Sequence, residues 1–270
     1  MVVQHNLSAM NTNRQMGVVT SALQKSTEKL SSGYKINRAG DDAAGLSISE
    51  KMRSQIRGLN KASDNAQDGI SLIQVAEGAL NETHSILQRM NELATQAAND
   101  TNTSVDRQSI KDEIEQLNEE LDRISTTTQF NKQDLLTGGF SGKLQVGALE
   151  GQTMDVKISL AVSAKGLKVS AVEVSTNAKA GAAMQSIQDA IESVSKQRSK
   201  LGAIQNRLEH TINNLDTNAE NTQAAESRIR DTDMADEMVQ YSKNNILSQA
   251  GQSMLTQANQ QTQGVLSLLG

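Results

Sequence analysis

From Leu59 onward the apolar and small residues advance by alternate steps of three and four: Leu59, Ala62, Ala66, Gly69, Ile73, Ala76, Leu80, Thr83, Leu87, Met90 and Ala94. That spacing is the seam of a coiled coil. A second row, Leu72, Ala79, Ile86 and Leu93, runs beside the first and widens the apolar face beyond what one neighbouring helix covers. Asp41 or Asp42 can cap the start of this helix, with Ser47 and Glu50 at capping-box spacing as an internal alternative. Continued to Ala98, the helix would be ~80 Å long at 1.5 Å per residue. The stretch Asn99 to Ser104 is rich in Asn, Asp and Thr and predicts a turn. Ile110, Ile114, Leu117, Leu121 and Ile124 then mark a second helix, which the short link makes antiparallel to the first. The pattern changes after Thr126. Gly138, Gly139, Gly142, Gly147 and Gly151 separate the short runs Lys143 to Val146 and Met154 to Val162, the latter alternating through Met154, Val156, Ile158 and Leu160, so a small hairpin region is expected. Helical spacing resumes at about Ala182 with Ile187, Val194, Leu201, Ile204, Leu208 and Leu215, and extends weakly through Ala225 to Ile229.

The two ends carry amphipathic stripes of their own. Met16, Val19, Leu23 and Leu30 form one, with Val3, Leu7 and Met10 out of phase before it. Val239, Leu247, Ala250, Met254, Ala258, Val265 and Leu268 form the other. Isolated helices are marginal in water without a packed face, so both ends are expected to fray in the free chain and to order when their stripes meet partners. The fold predicted is mainly α: an elongated antiparallel coiled-coil rod built from both termini, with a small β-hairpin region in the middle.

Composition supports long helices. The 270 residues include no Pro, where average usage would give roughly 13, and a chain without Pro can run through helices unbroken. Ser, Thr, Asn and Gln make up about a third of the chain, and Val, Ile, Leu and Phe only a little over a fifth. So few large apolar groups cannot fill the centre of a compact globule of this size, and an elongated shape follows. The net charge of -5 comes without a basic block or stacking aromatics, which argues against nucleic acid. No segment approaches the ~20 apolar residues of a spanning helix, so no membrane insertion is expected. Met1 to Met10 has no Lys or Arg and no apolar run, unlike a cleaved secretory signal. The absence of Cys removes disulfides, thiolate catalysis and cysteine metal sites.

Candidate chemistry is sparse. His5, His84 and His210 are scattered, with no HExxH and no second ligand at helical spacing. Gly138 to Lys143, GGFSGK, is one residue short of a phosphate loop between its glycines, and Leu144 stands where a magnesium-binding hydroxyl is required, so a hairpin turn is expected. Asp41 with Asp42 and Glu119 with Glu120 are adjacent carboxylates that point in different directions along a helix, and capping and solvation explain them. Asn81, Asn99 and Asn102 satisfy the N-x-S/T pattern, which chance supplies in so polar a chain. No catalytic, cofactor-binding or metal-ligating residue is predicted. What remains is more apolar stripe than one bundle can bury, and that favours assembly.

Leu30 to Gly33 (LSSG), Ile36 to Gly45 (INRAGDDAAG) and Gln257 to Leu269 (QANQQTQGVLSLL) resemble the terminal signatures of bacterial flagellin, the filament subunit of the flagellum. The resemblance covers nearly the whole chain. It implies an inner core domain from residues 1–42 and 232–270. It also implies a rod domain from helices in 43–128 and 182–231, with the short hairpin region at 129–181. Only about fifty residues separate the helical halves, so the subunit looks minimal. Thr262 stands where many members have Pro, and Gly270 replaces a terminal Arg.

By the same resemblance the chain is a secreted structural protein, not an enzyme. It polymerises with copies of itself into an extracellular filament for motility, and its partners are an export chaperone, a filament cap and hook-junction proteins. Polymerisation would pair Leu7, Met16, Leu23 and Leu30 with Leu247, Met254, Val265 and Leu268. The segment Gln88 to Gln96 resembles the part of the family recognised by the animal innate receptor Toll-like receptor 5, with Gln88, Arg89, Glu92, Leu93 and Gln96 matching and Glu113 matching a further contact on the next helix. Arg89, Leu93 and Gln96 follow i, i+4, i+7 spacing, so one face would offer a guanidinium fork, an apolar knob and an amide; packing against a neighbour explains Leu93 as well. Three rivals are a hook-filament junction protein, a flagellin-like enzyme that would need a metal-binding motif between Phe130 and Gly181, and a helical adhesin that does not self-assemble.

Overall fold

The computed structural model describes the backbone of residues 6–269 and the side chains of residues 6–261. Five helices dominate: α1 (Leu7–Ser32), α2 (Ala43–Ala97), α3 (Ser104–Thr127), α4 (Asn177–Arg230) and α5 (Met234–Leu269). Four short strands lie between α3 and α4: β1 (Gln129–Phe130), β2 (Gln133–Asp134), β3 (Phe140–Gln145) and β4 (Thr153–Ile158). The chain divides into two compact units, Met1–Ser54 with Asn221–Gly270 and Gln55–Glu220, the divisions falling inside α2 and α4.

In the unit Gln55–Glu220 the α2 seam is the core. Leu59, Ala62, Ala66, Ile73, Ala76, Leu80, Leu87, Met90 and Ala94 are buried, as the three-four spacing predicts, and Leu72 and Leu93 of the second row are buried too. α4 runs antiparallel to α2: Ser63 Oγ donates to Asp216 Oδ1 at 3.0 Å near one end, and Asn177 Nδ2 reaches the Ala98 carbonyl at the other. Ala180, Ala183, Ile187, Ala190, Val194, Leu201, Leu208 and Leu215 supply its buried face. α3 begins with a capping box in which Thr103 and Asp106 satisfy each other's backbone N–H groups. Ile110, Ile114, Leu121 and Ile124 join the same core.

The strands form two antiparallel hairpins. β4 alternates as expected, burying Met154, Val156 and Ile158, and pairs with β3 from Phe140 opposite Ile158 to Gln145 opposite Thr153. Two glycines of α2 let this hairpin approach: the Leu144 side chain sits where a Cβ on Gly69 would project, and Ala148 Cβ lies 2.8 Å from the place of one on Gly58. The GGFSGK run is not the hairpin turn expected: Phe140–Lys143 are paired residues of β3, and Gly138 before them sits at φ +95 against Ala161.

In the other unit, α1 and α5 pair antiparallel. Asn6 Nδ2 donates to the Ala258 carbonyl at 3.0 Å, and Lys29 Nζ meets Glu237 Oε2 at 3.3 Å. A two-way backbone clasp closes the base of the pair: Lys35 N–H donates to the Arg230 carbonyl at 2.7 Å and Thr232 N–H to Gly33 at 2.9 Å. Arg230 stacks on the Tyr34 ring, 4.5 Å from its centroid, and donates to Glu50 Oε1 at 3.0 Å. The connector from α1 to α2 is tightly specified. Gly33 ends α1 at φ +76, Ile36 is buried, Asp41 Oδ2 accepts from the Arg38 and Asn37 N–H groups, and Asp42 Oδ1 caps α2 by accepting from Gly45 N–H at 2.9 Å. The Arg38 N–H bond, opposed by burial and helped by the Asn37 bond, holds the Asp41 carboxyl below its usual range.

Three further expectations are corrected. α4 starts at Asn177 and not near Ala182, because Ala180 and Ala183 carry the buried face where no bulky residue signals it. β1 and β2 were not foreseen; their two-residue turn, Asn131–Lys132, has both residues at positive φ, the geometry of a type I′ hairpin. The α1 stripe of Met16, Val19, Leu23 and Leu30 lies in the α1–α5 seam as read from sequence, but on α5 the seam differs in phase from the stripe, which shares only Ala258 with it among the described residues. On α5 the less exposed positions include Glu237, Tyr241, Asn244, Ser248, Gly251, Leu255 and Ala258, leaving Val239, Leu247 and Met254 outside.

Candidate functional site

The surface of the α1–α5 pair is where the chain leaves apolar groups open. On α1 the seam runs through Ala9, Thr12, Met16, Val19, Leu23, Ser26 and Leu30, again in steps of three and four, but among its described residues only Ser26 is fully buried. Gly251 of α5 faces Met16, which lies about a Cβ contact away. Leu7, Met10 and Val18 on α1 and Val239, Ile246, Leu247 and Met254 on α5 are exposed. Exposed apolar side chains of this kind are candidates for contact with another surface. Of the residues expected to polymerise, Met16, Leu23 and Leu30 are half-buried in the intrachain seam, whereas Leu7, Leu247 and Met254 face solvent. The side chains of Val265, Leu268 and Thr262, like all of Val3 and Gly270, lie outside the described residues.

A polar cluster occupies α2 and α3. Arg89 Nε donates to Glu113 Oε1 at 2.9 Å and its Nη1 reaches Glu92 Oε2 at 3.3 Å. The Glu113 bond first, and then the Glu92 bond, raise the guanidinium above its ordinary pKa, so it stays charged. Gln88 Nε2 lies 3.0 Å from His84 Nε2, and the Gln96 side chain is exposed in the last turn of α2. The structure therefore brings Arg89, Glu92 and Glu113 into contact, with Gln88 and Gln96 exposed nearby on the same helix. Leu93 departs from the predicted apolar knob: it is 2% exposed, in the core cluster that also contains Ile110 and Ile114. Its i+4 relation to Arg89 is real, but it sits where the second apolar row of α2 is covered from within the chain.

Two family profiles match the chain: "Bacterial flagellin N-terminal helical region" over residues 3–141 and "Bacterial flagellin C-terminal helical region" over residues 184–269. A flagellin of Halalkalibacterium halodurans is 56% identical over 271 residues, covering 100% of both chains. The chain belongs to the bacterial flagellin family. A Bacillus subtilis flagellin is 51% identical over 304 residues, again covering 100% of each. The crystal structure of Bacillus cereus flagellin, 34% identical, superposes with a TM-score of 0.51 over 60% of this chain and 94% of that one. Flagellin is the structural subunit of the flagellar filament, and family membership carries that role, with its helical architecture, to this chain. Among the described residues no set of His, Asp or Glu side chains is grouped to hold a metal, and no helix is long and apolar enough to cross a membrane.

Proposed function

We propose that this flagellin is exported from the cell and polymerises, through its two terminal helices, into the extracellular filament that drives bacterial motility, without catalysing a reaction. Segments 1–42 and 232–270 would form the inner core of the polymer, and 43–128, 129–181 and 182–231 its rod. The observation that carries the reading is the pairing of α1 with α5 through a thin seam that leaves Leu7, Val239, Ile246, Leu247 and Met254 uncovered. A seam of half-buried Met16, Leu23 and Leu30 gives little apolar burial to offset the ordering of two long helices, so ordering is coupled to assembly. Copies of the chain cover Leu7, Leu247 and Met254, which are exposed in the free chain. Removing Asn244–Gly270 is expected to abolish filaments while Gln55–Glu220 stays folded; filaments of normal length from that truncation, seen by negative stain, would overturn the reading. A hook-filament junction protein would form a short ring in place of a long polymer, and subunit copy number by electron microscopy separates the two. An export chaperone on the carboxy-terminal segment and a filament cap at the growing tip are the partners this role requires.

The polar cluster of Gln88, Arg89, Glu92, Gln96 and Glu113 supports a second reading, recognition by Toll-like receptor 5. A charged guanidinium aligned by two carboxylates and flanked by amides suits an interface anchor, with Leu93 holding α2 in place beneath it. Arg89→Ala is expected to weaken binding of the receptor ectodomain by about tenfold or more with circular dichroism unchanged. Equal affinity would remove the assignment.

A further inference from the structure

The methionines among the described residues are partitioned by exposure. Met10 is 63% exposed, Met234 48%, Met238 49% and Met254 61%, and all four lie on α1 or α5. In the unit Gln55–Glu220, Met90 and Met154 are 0% and 8% exposed, and Met184 is half-buried with its sulfur accepting from Thr95 Oγ1 at 3.3 Å. Met16 and Met52 are half-buried as well. Thioether oxidation follows exposure of the side chain, and the exposed methionines among the described residues all lie on α1 and α5.

We propose that Met10, Met234, Met238 and Met254 are oxidation sites through which a peroxide makes the exposed apolar positions of α1 and α5 polar and arrests polymerisation of the free chain. The proposal rests on the assembly reading given above. In each step a lone pair on Sδ attacks one oxygen of hydrogen peroxide and the O–O bond breaks. That oxygen stays on sulfur as the sulfoxide, and the other leaves as water once the peroxide proton has transferred to it. Sulfur is oxidised by two electrons and peroxide reduced by two. The product is a polar, chiral group with a strong acceptor oxygen in place of a flexible apolar one. Burying that oxygen is unfavourable unless a donor meets it, and it takes the place of apolar surface that would otherwise join Leu7, Val18, Val239, Ile246 and Leu247, the exposed large apolar neighbours on α1 and α5. The change is reversible by methionine sulfoxide reductases. Met90 and Met154, being buried, are out of reach of the same reagent while the fold stays closed.

The test treats the free full-length chain with hydrogen peroxide, maps sulfoxides by peptide mass, and then measures elongation on sheared filaments of the untreated protein. Sulfoxide is expected at Met10, Met234, Met238 and Met254 before Met90 and Met154. Elongation should slow by about tenfold or more and recover after treatment with the two reductases. The variant M10L/M234L/M238L/M254L should elongate equally fast before and after peroxide, whatever its own basal rate. Oxidised protein that elongates as fast as untreated protein, or a leucine variant that loses as much to peroxide as the parent chain, would overturn the proposal alone. Untreated protein that never elongates would overturn the assembly reading and this proposal with it.

Discussion

Leu247 separates packing within one chain from packing between chains. It is 44% exposed, so the free chain has realised only about half of the roughly 1.5–3 kcal/mol that full burial of a Leu side chain supplies. About 0.7–1.3 kcal/mol remains to be gained when a neighbour covers it. Leu247→Ala forfeits that gain, which corresponds to a rise of about three- to tenfold in the critical concentration for polymerisation, at about 1.4 kcal/mol per factor of ten. The same substitution leaves the free chain's main unfolding transition in place, since that transition reports the core around Leu80, Leu87 and Ile187. Leu80→Ala is the contrast: Leu80 is fully buried, and its truncation should cost about 2–5 kcal/mol in the free chain. The assay is the soluble concentration left at equilibrium with seeded filaments, with urea unfolding of the unassembled protein run in parallel. An unchanged critical concentration for Leu247→Ala would refute the claim that copies of the chain cover α5 there.

Two further outcomes follow from local geometry. Gly45→Ala should lower thermal stability by about 1–3 kcal/mol, because the added methyl meets Ile36 Cδ1 at 2.8 Å and the Asp42 carboxylate that caps α2; an unchanged midpoint would mean the connector gives way freely. The side-chain and backbone bonds from Thr103 lower the Asp106 pKa, so the capping box stabilises α3 fully above the unfolded carboxylate value of about 4 and loses this as pH falls through the lower folded value. Amide protection factors in the first turn of α3, taken against the intrinsic rate at each pH, should therefore fall only below about pH 4, and protection already lost at neutral pH would contradict the capping role.

The long central helices were legible because their buried rows are made of Leu, Ile, Met and Ala at strict spacing, and burial follows that row from Leu59 to Ala94. On α1 the terminal seam was legible through Met16, Val19, Leu23 and Leu30, but its phase on α5 was not. Its members on α5 include Asn244, Ser248 and Gly251, small or polar residues that carry no hydrophobic signal, while the bulky Val239, Leu247 and Met254 that do carry one face outward. The first turns of α4 were hidden for a similar reason, being alanine-rich, and two-residue strands such as β1 and β2 are shorter than any alternation can register. At the polar cluster, sequence spacing correctly placed Arg89 and Gln96 along α2. It could not show that Leu93 is covered by the chain's own core, since that depends on α3 lying across the helix, where Glu113 meets Arg89.

Amide hydrogen exchange compared between free chain and filament tests the central claim most directly, because it reads helix opening segment by segment. The account predicts rapid exchange along α1 and α5 in the free chain, strong protection of both in the filament, and protection within Gln55–Glu220 in either state. Terminal helices protected in the free chain as strongly as α2 around Leu80, with no gain on assembly, would contradict it.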